Sequence, residues 1–273
     1  FGFIRIKLYV LLFISKRKSG EEAFRLFCTP VVKYKGEEAK IFKTAEKLSF
    51  KLEENLIKGY RCNYPQKKKV LLLHGFSSTC HKFDRYAVSL ISKGYEVLAF
   101  DAPAHGASTG KTVNALVYCN MIKKVNELYG PIDAYIAHSF GGIAVSLALE
   151  DLPHNPETKV VLIAPATETS SAIDGAFVML GISNKAIRQS MENIIFNLSG
   201  KKPEWFSIRR AIKNIQASVF WVHDEEDTIT PLADALKVKN DGHPNVEFLI
   251  TKGLGHQKIY KDNAVKNCIL NFL

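Results

Sequence analysis

Six short runs, at 70–73, 97–100, 132–137, 160–164, 219–222 and 246–250, are apolar without polar alternation. Strands buried on both faces read this way. Helical patterns at 83–93, 112–129, 142–150, 232–238 and 259–271 lie between or beyond most of them. This alternation predicts an α/β fold: a mostly parallel central sheet flanked by helices and joined by right-handed crossovers. Ligands of such sheets bind at the carboxyl ends of the strands. One segment breaks the rhythm. Residues 165–214 hold amphipathic stretches and no strand pattern, far longer than the roughly 2 to 6 residues of an ordinary αβ connection. They read as a small helical cap, whose Phe, Met, Leu, Ile and Trp side chains either line an acyl pocket or pack the cap onto the core. Upstream, 50–53 and 56–63 suggest strands, and 21–48 reads as helices broken at Pro30. The predicted organisation is a leader with helices packed on the core at 1–48, a core at 49–164 and 215–273, and the cap at 165–214.

A chain of 273 residues can bury one large core without disulfide staples. Its five cysteines (28, 62, 80, 119 and 268) are odd in number and lack a Cys-x-x-Cys pair, which fits reduced thiols in the cytoplasm. No metal-ligand spacing is present, and neither a metal nor a cofactor is expected. The net charge of +10 raises nucleic acid as a partner, but residues 1–20 alone carry Arg5, Lys7, Lys16, Arg17 and Lys18 with no acid. The remaining charge is mixed, and no aromatic residues interleave with a basic run as a stacking groove requires. Nucleic acid is therefore not an expected partner. The apolar stretch of the leader is interrupted by Arg5 and Lys7 and falls short of the roughly 20 residues of a bilayer span. It suits a peripheral, interfacial helix with basic residues at the headgroups, or a helix packed on the body. Nothing in the sequence sets the oligomeric state.

The candidate chemistry starts at Ala137-His138-Ser139-Phe140-Gly141. A strand that turns into a helix within one residue lifts the intervening side chain into an exposed, strained position and demands small neighbours. Ala137 and Gly141 meet that demand. Serine is a poor nucleophile at neutral pH, so Ser139 needs a base and the base needs an orienting carboxylate. Just past the run at 219–222 comes His223-Asp224-Glu225-Glu226-Asp227, and past the run at 246–250 comes Gly253-Leu254-Gly255-His256. Asp227 is the candidate acid, with Asp224 as fallback, and His256 is the candidate base. The amides of Phe76, after His74-Gly75, and of Phe140 are the candidate oxyanion donors. The side chain of His74 reads as a structural hydrogen-bonder, and Asp101 to Gly106 as a rigid turn bordering the site.

From about Asn55 onward these motifs resemble the α/β-hydrolase superfamily. His74-Gly75-Phe76 is similar to its oxyanion loop, Asp101 to Gly106 to its Asp-x-Pro-x-His-Gly turn, 137–141 to its nucleophile elbow, and Asp227 with Gly255-His256 to its late acid and base loops. The sequence departs from the pattern at Ala137, the first elbow glycine; at Ala104, where glycine is common; and at Asp224, where a glycine often follows the histidine. The cap position between the sixth and seventh strands also matches. Within the superfamily, serine at 139 excludes the dehalogenase and epoxide hydrolase patterns, which place aspartate there. The resemblance implies a serine hydrolase acting on a small-molecule carboxylic ester with an apolar acyl or alcohol part. Alternatives are a thioesterase, an acyltransferase, a carbon-carbon bond hydrolase, or a non-catalytic binding or scaffold protein on the same fold.

Overall fold

A computed structural model describes residues 2–31 and 38–273. In chain order its elements are α1 (Gly2–Ile14), α2 (Lys16–Phe27), α3 (Lys40–Lys43), β1 (Glu46–Leu52), β2 (Asn55–Cys62), β3 (Lys68–Leu73), α4 (Asp84–Ser92), β4 (Tyr95–Phe100), α5 (Ala115–Tyr129), β5 (Ala134–His138) and α6 (Phe140–Leu149). There follow β6 (Lys159–Ile163), α7 (Thr169–Leu180), α8 (Lys185–Ser199), α9 (Ile208–Ala211), β7 (Ser218–Asp224), α10 (Leu232–Asn240), β8 (Val246–Thr251), α11 (Gly255–Lys258) and α12 (Asn263–Phe272). The eight strands form one sheet in the order β1-β2-β4-β3-β5-β6-β7-β8. β1 and β2 pair antiparallel with their neighbours, and from β4 to β8 every pairing is parallel.

The apolar runs are continuous because both faces of these strands are covered. Alternate residues feed two cores: Leu71, Leu73, Leu98, Tyr135, Leu162 and Trp221 point to one, and Val70, Leu72, Val97, Ile136, Val161 and Val222 to the other. The first core takes in α5, α6 and the helices between β6 and β7, and the second takes in α4 and α12. Helix α6 is buried from Gly141 through Leu149, so its sequence shows no polar stripe. Truncating one of its large side chains, such as Leu147, costs about 2 to 5 kcal/mol in a site of this kind.

Two parts of the sequence reading differ from the structure. Residues 46–48, assigned to the N-terminal helical part, belong to the edge strand β1, where Leu48 pairs with Gly59. Only one face of an edge strand meets the core, and Leu48 alone is buried there among partly and fully exposed neighbours, so the polar spacing mimics a helix face. The apolar residues of 165–214 also divide differently. Phe177, Ile187, Met191 and Ile195 are buried in the core, whereas Val178, Met179, Phe196 and Leu198 face solvent.

Helices α1 and α2 form a hairpin on the same side as the inserted helices. Ser15 caps α2 through the Lys18 N–H, and the buried Ser19 hydroxyl donates to the Leu8 carbonyl at 2.9 Å. α2 lies against α8 at Gly20, where an added Cβ would stand 2.6 Å from the Ser190 backbone carbon. Glycine is required by that approach. The Ser190 hydroxyl also donates to the Lys16 carbonyl at 2.7 Å. Among the described residues no helix is long and apolar enough to cross a membrane.

Candidate active site

The sheet order reverses direction between β3 and β5, and such a switch point opens a crevice at the carboxyl ends of the strands. Ser139 stands there, between the last residue of β5 and the first of α6, with φ 53° and ψ −116°. A non-glycine residue held there costs on the order of 1 to 3 kcal/mol and persists only when its surroundings over-determine it. They do. The Ser139 N–H donates to the Ile163 carbonyl at 3.0 Å, and the Ser139 carbonyl accepts from Gly142 at 2.9 Å and from Ala166 at 3.0 Å. A Cβ at Gly141 would lie 2.6 Å from the Leu73 carbonyl oxygen, and one at Gly142 would lie 2.6 Å from the Pro165 side chain. Both glycines let α6 start this close to β3 and to the chain leaving β6.

The loops after β7 and β8 bring two more groups to Ser139. His256 Nε2 lies 3.0 Å from Ser139 Oγ, and His256 Nδ1 lies 2.8 Å from Asp227 Oδ2. An ionised carboxylate only accepts, so Nδ1 carries the proton and Nε2 is left with a lone pair toward the serine hydroxyl. The Asp227 carboxylate is otherwise satisfied: Oδ1 accepts from the Ile229 and Thr230 amides at 2.8 and 2.9 Å, and Oδ2 from the Thr230 hydroxyl at 2.8 Å. Burial pushes this carboxyl up, but the His256 contact and the Thr230 donors outweigh it and hold it at about 2. The group is charged at any working pH. Asp224 is not aimed at the imidazole. Its oxygens accept from the Thr251 hydroxyl at 2.7 Å and from the amides of Glu226, Leu254 and Gly255 at 3.0, 3.1 and 2.9 Å, so it ties the His256 loop to the end of β7.

On the other side of Ser139, the loop after β3 makes close contact. A Cβ at Gly75 would be 3.1 Å from Ser139 Cβ, and the rings of Phe76 and Phe140 meet edge to face with centroids 5.6 Å apart. Phe76 and Phe140 thus lie beside Ser139. His74 Nδ1–H donates to the Gly75 carbonyl at 2.8 Å while Nε2 accepts from the Ala102 N–H at 2.9 Å. His105 Nε2 accepts from the Ser77 N–H at 2.9 Å. The turn at 101–106 is therefore the buttress of the loop. Burial lowers both imidazoles, His105 to about 4, so they stay neutral.

Three contributors escape sequence reasoning. The Thr230 hydroxyl touches Asp227 and lies 3.2 Å from His256 Nδ1; its place three residues after Asp227 is the available signal, since hydroxyl residues commonly close such turns. His138 Nε2–H donates to the His256 carbonyl at 3.1 Å, and its ring lies 4.8 Å from that of His256. Burial first, and then the neighbouring His256, lower His138 to about 3, which keeps it neutral. His223 donates from Nε2 to the Thr230 carbonyl at 2.8 Å. Neither histidine carries a sequence signal that separates it from a core residue.

A doubly covered parallel sheet, with a strained serine elbow at its switch point and late loops bringing a carboxylate and an imidazole to it, defines an α/β-hydrolase. The sequence model of the family described as serine aminopeptidase S33 matches residues 64–207, over half of the chain, and the protein belongs to that family. It is a hydrolase. The chain is 26% identical over 166 residues to a serine hydrolase-like protein of Dictyostelium discoideum, a match that covers 58% of this chain and 43% of the relative. The chain thus spans less than half of that relative's length. Among solved structures, an esterase of Pyrococcus furiosus superposes with a TM-score of 0.66 at 19% identity, over 90% of this chain and 97% of the other. Mouse alpha/beta hydrolase domain-containing protein 10 superposes with a TM-score of 0.60 at 17% identity, over 83% of this chain and 96% of the other. At these identities the structural likeness speaks for the fold.

Proposed function

We propose that the protein is a serine carboxylic-ester hydrolase with Ser139 as nucleophile, His256 as general base and acid, and Asp227 as the orienting carboxylate. The observation that carries this reading is the unbroken relay of 3.0 Å from Ser139 Oγ to His256 Nε2 and 2.8 Å from His256 Nδ1 to Asp227 Oδ2. In the proposed cycle Ser139 Oγ attacks the ester carbonyl carbon as its proton passes to His256 Nε2. The oxyanion is held by the Phe76 and Phe140 amides, the latter at the positive end of α6. The imidazolium then gives its proton to the departing alkoxide, which leaves as the alcohol. Water attacks the acyl-enzyme and loses a proton to Nε2, and Ser139 regains that proton as the acid departs. Asp227 stays ionised throughout and stabilises the imidazolium.

An ester with an apolar part is favoured over a peptide because the inserted segment is rich in large apolar residues, while its arginine pair, Arg209 and Arg210, is engaged by Asp241 and Glu150. Residues 165–214 take the role of a cap: the segment leaves the sheet directly beside Ser139, through the Ala166 N–H to Ser139 carbonyl bond. The test is turnover of nitrophenyl esters graded by acyl length, run beside aminoacyl anilides and acyl-CoA. Ester turnover that exceeds the others and falls by orders of magnitude in S139A supports the proposal. Preferential anilide cleavage, or undiminished ester turnover in S139A, overturns it.

A further inference from the structure

Helix α1 carries apolar side chains on two faces. Its inward stripe, Ile4, Leu8, Leu11 and Leu12, is buried or partly buried, with Leu8 in the core. Its outward stripe is also apolar: Phe3, Ile6, Val10 and Phe13 follow one another at helical spacing and are exposed, Phe3 at 80% and Phe13 at 95%. A helix of 13 residues is about 20 Å long, too short for a hydrocarbon core of about 30 Å, so it suits lying in an interface. Exposed apolar residues also lie on the neighbouring inserted segment. α1 contacts α7, Arg5 lies against Gly181 just past the end of α7, and Val178 and Met179 of that last turn are exposed.

A second observation concerns charge. Helix α2 opens with Lys16, Arg17 and Lys18 and has no acid in its first turn. Three cations at the positive end of a helix dipole oppose it, and an anion beside them relieves that conflict. The acids nearby are engaged: Glu21 pairs with Arg17, and Glu22 with Lys7 and Arg25. Ser15, between Phe13 and these cations, is the single-residue bend joining the helices. The Phe13 end of the apolar stripe therefore adjoins the cationic helix start.

We propose that the outer face of α1, with Val178 and Met179, docks on the surface of an anionic lipid bilayer, the Phe3, Ile6, Val10 and Phe13 side chains entering the acyl boundary and Lys16 and Lys18 meeting the headgroup phosphates. This goes beyond the proposed catalysis and does not depend on it. Self-association fits less well, because two copies joined through this face would bring Arg5, Lys16 and Lys18 of each together.

The test is flotation of the full chain with phosphatidylcholine vesicles, with and without about 30% phosphatidylserine. Each basic side chain at an anionic surface is worth roughly fivefold in partition, so K16E/K18E should bind the mixed vesicles about 25-fold or more weakly. I6E/F13E alters exposed positions only, should keep the wild-type melting temperature, and should abolish binding. Raising salt to about 0.5 M should weaken wild-type binding, since it shortens the screening length. No wild-type binding, equal binding to both vesicles, or retained binding by I6E/F13E would overturn the proposal. So would light scattering that finds a dimer which I6E/F13E dissociates. Monomers in both proteins support it.

Discussion

Replacing Asp227 by asparagine changes one atom and tests the relay at its most buried point. Oδ1 accepts from two backbone amides, at 2.8 and 2.9 Å, and the asparagine oxygen must take that position to keep them satisfied. Its amide nitrogen then replaces Oδ2 and faces His256 Nδ1 and the Thr230 hydroxyl. A donor there forces Nδ1 to accept, moving the imidazole proton to Nε2, where it points at Ser139 and cannot receive a proton. Loss of the right tautomer in such a triad costs about 10⁴-fold in kcat, equivalent to about 5.5 kcal/mol. The stability cost is separate. A carboxyl held at about 2 against an ordinary 3.8 contributes on the order of 2 kcal/mol at neutral pH. Because the folded value is depressed, that contribution is complete above pH 3.8 and is lost as pH falls toward 2. Ester turnover and urea unfolding at pH 7 read the two effects, with D224N as comparison. A kcat for D227N within tenfold of wild type would refute the tautomer argument, as would a larger kcat loss in D224N than in D227N.

Thr230→Val removes the hydroxyl that joins Asp227 to the Ala164 carbonyl; kcat should fall about 10- to 100-fold with KM little changed, and steady-state kinetics checks it. Ala104 sits at φ 66°, a left-handed conformation that costs a residue with a Cβ roughly 1 to 2 kcal/mol. Ala104→Gly should therefore raise unfolding stability by about 0.5 to 1 kcal/mol, measured by urea titration. The buried neutral histidines make the fold acid-sensitive. His138 and His105 are lowered to about 3 and about 4, so the unfolded chain takes up their protons first and stability falls as pH drops below the ordinary 6.5. Each contributes up to about 1.4 kcal/mol per pH unit between 6.5 and its folded value, and unfolding free energies at pH 7, 6 and 5 should show that slope. It should be shallower in His138→Asn.

Much of the architecture is legible because it rests on periodicity. The doubly buried strands have no polar alternation to confuse with a surface, and each of the six central runs marks a strand of the sheet within a few residues. The elbow is legible because its geometry restricts neighbour size, as the Gly141 approach to Leu73 shows. What escaped notice depends on contacts between distant segments. Leu48 lies on an edge strand whose pattern follows one-sided burial. Phe177 and Val178 are adjacent in sequence yet one faces the core and the other solvent, because the inserted helices pack against other helices, α1, α2 and α6, from distant parts of the chain. Nothing local to His138 reveals that its imidazole supports the backbone of a loop 118 residues further on.

The central claim is that Ser139 is reactive only through His256. Peptide mapping of the protein after treatment with a fluorophosphonate tests this most directly. The account predicts one phosphonyl adduct, on the peptide carrying Ser139, formed at least about 10³-fold more slowly in H256A. Labelling elsewhere, no labelling of the folded wild type, or an undiminished rate in H256A would contradict it.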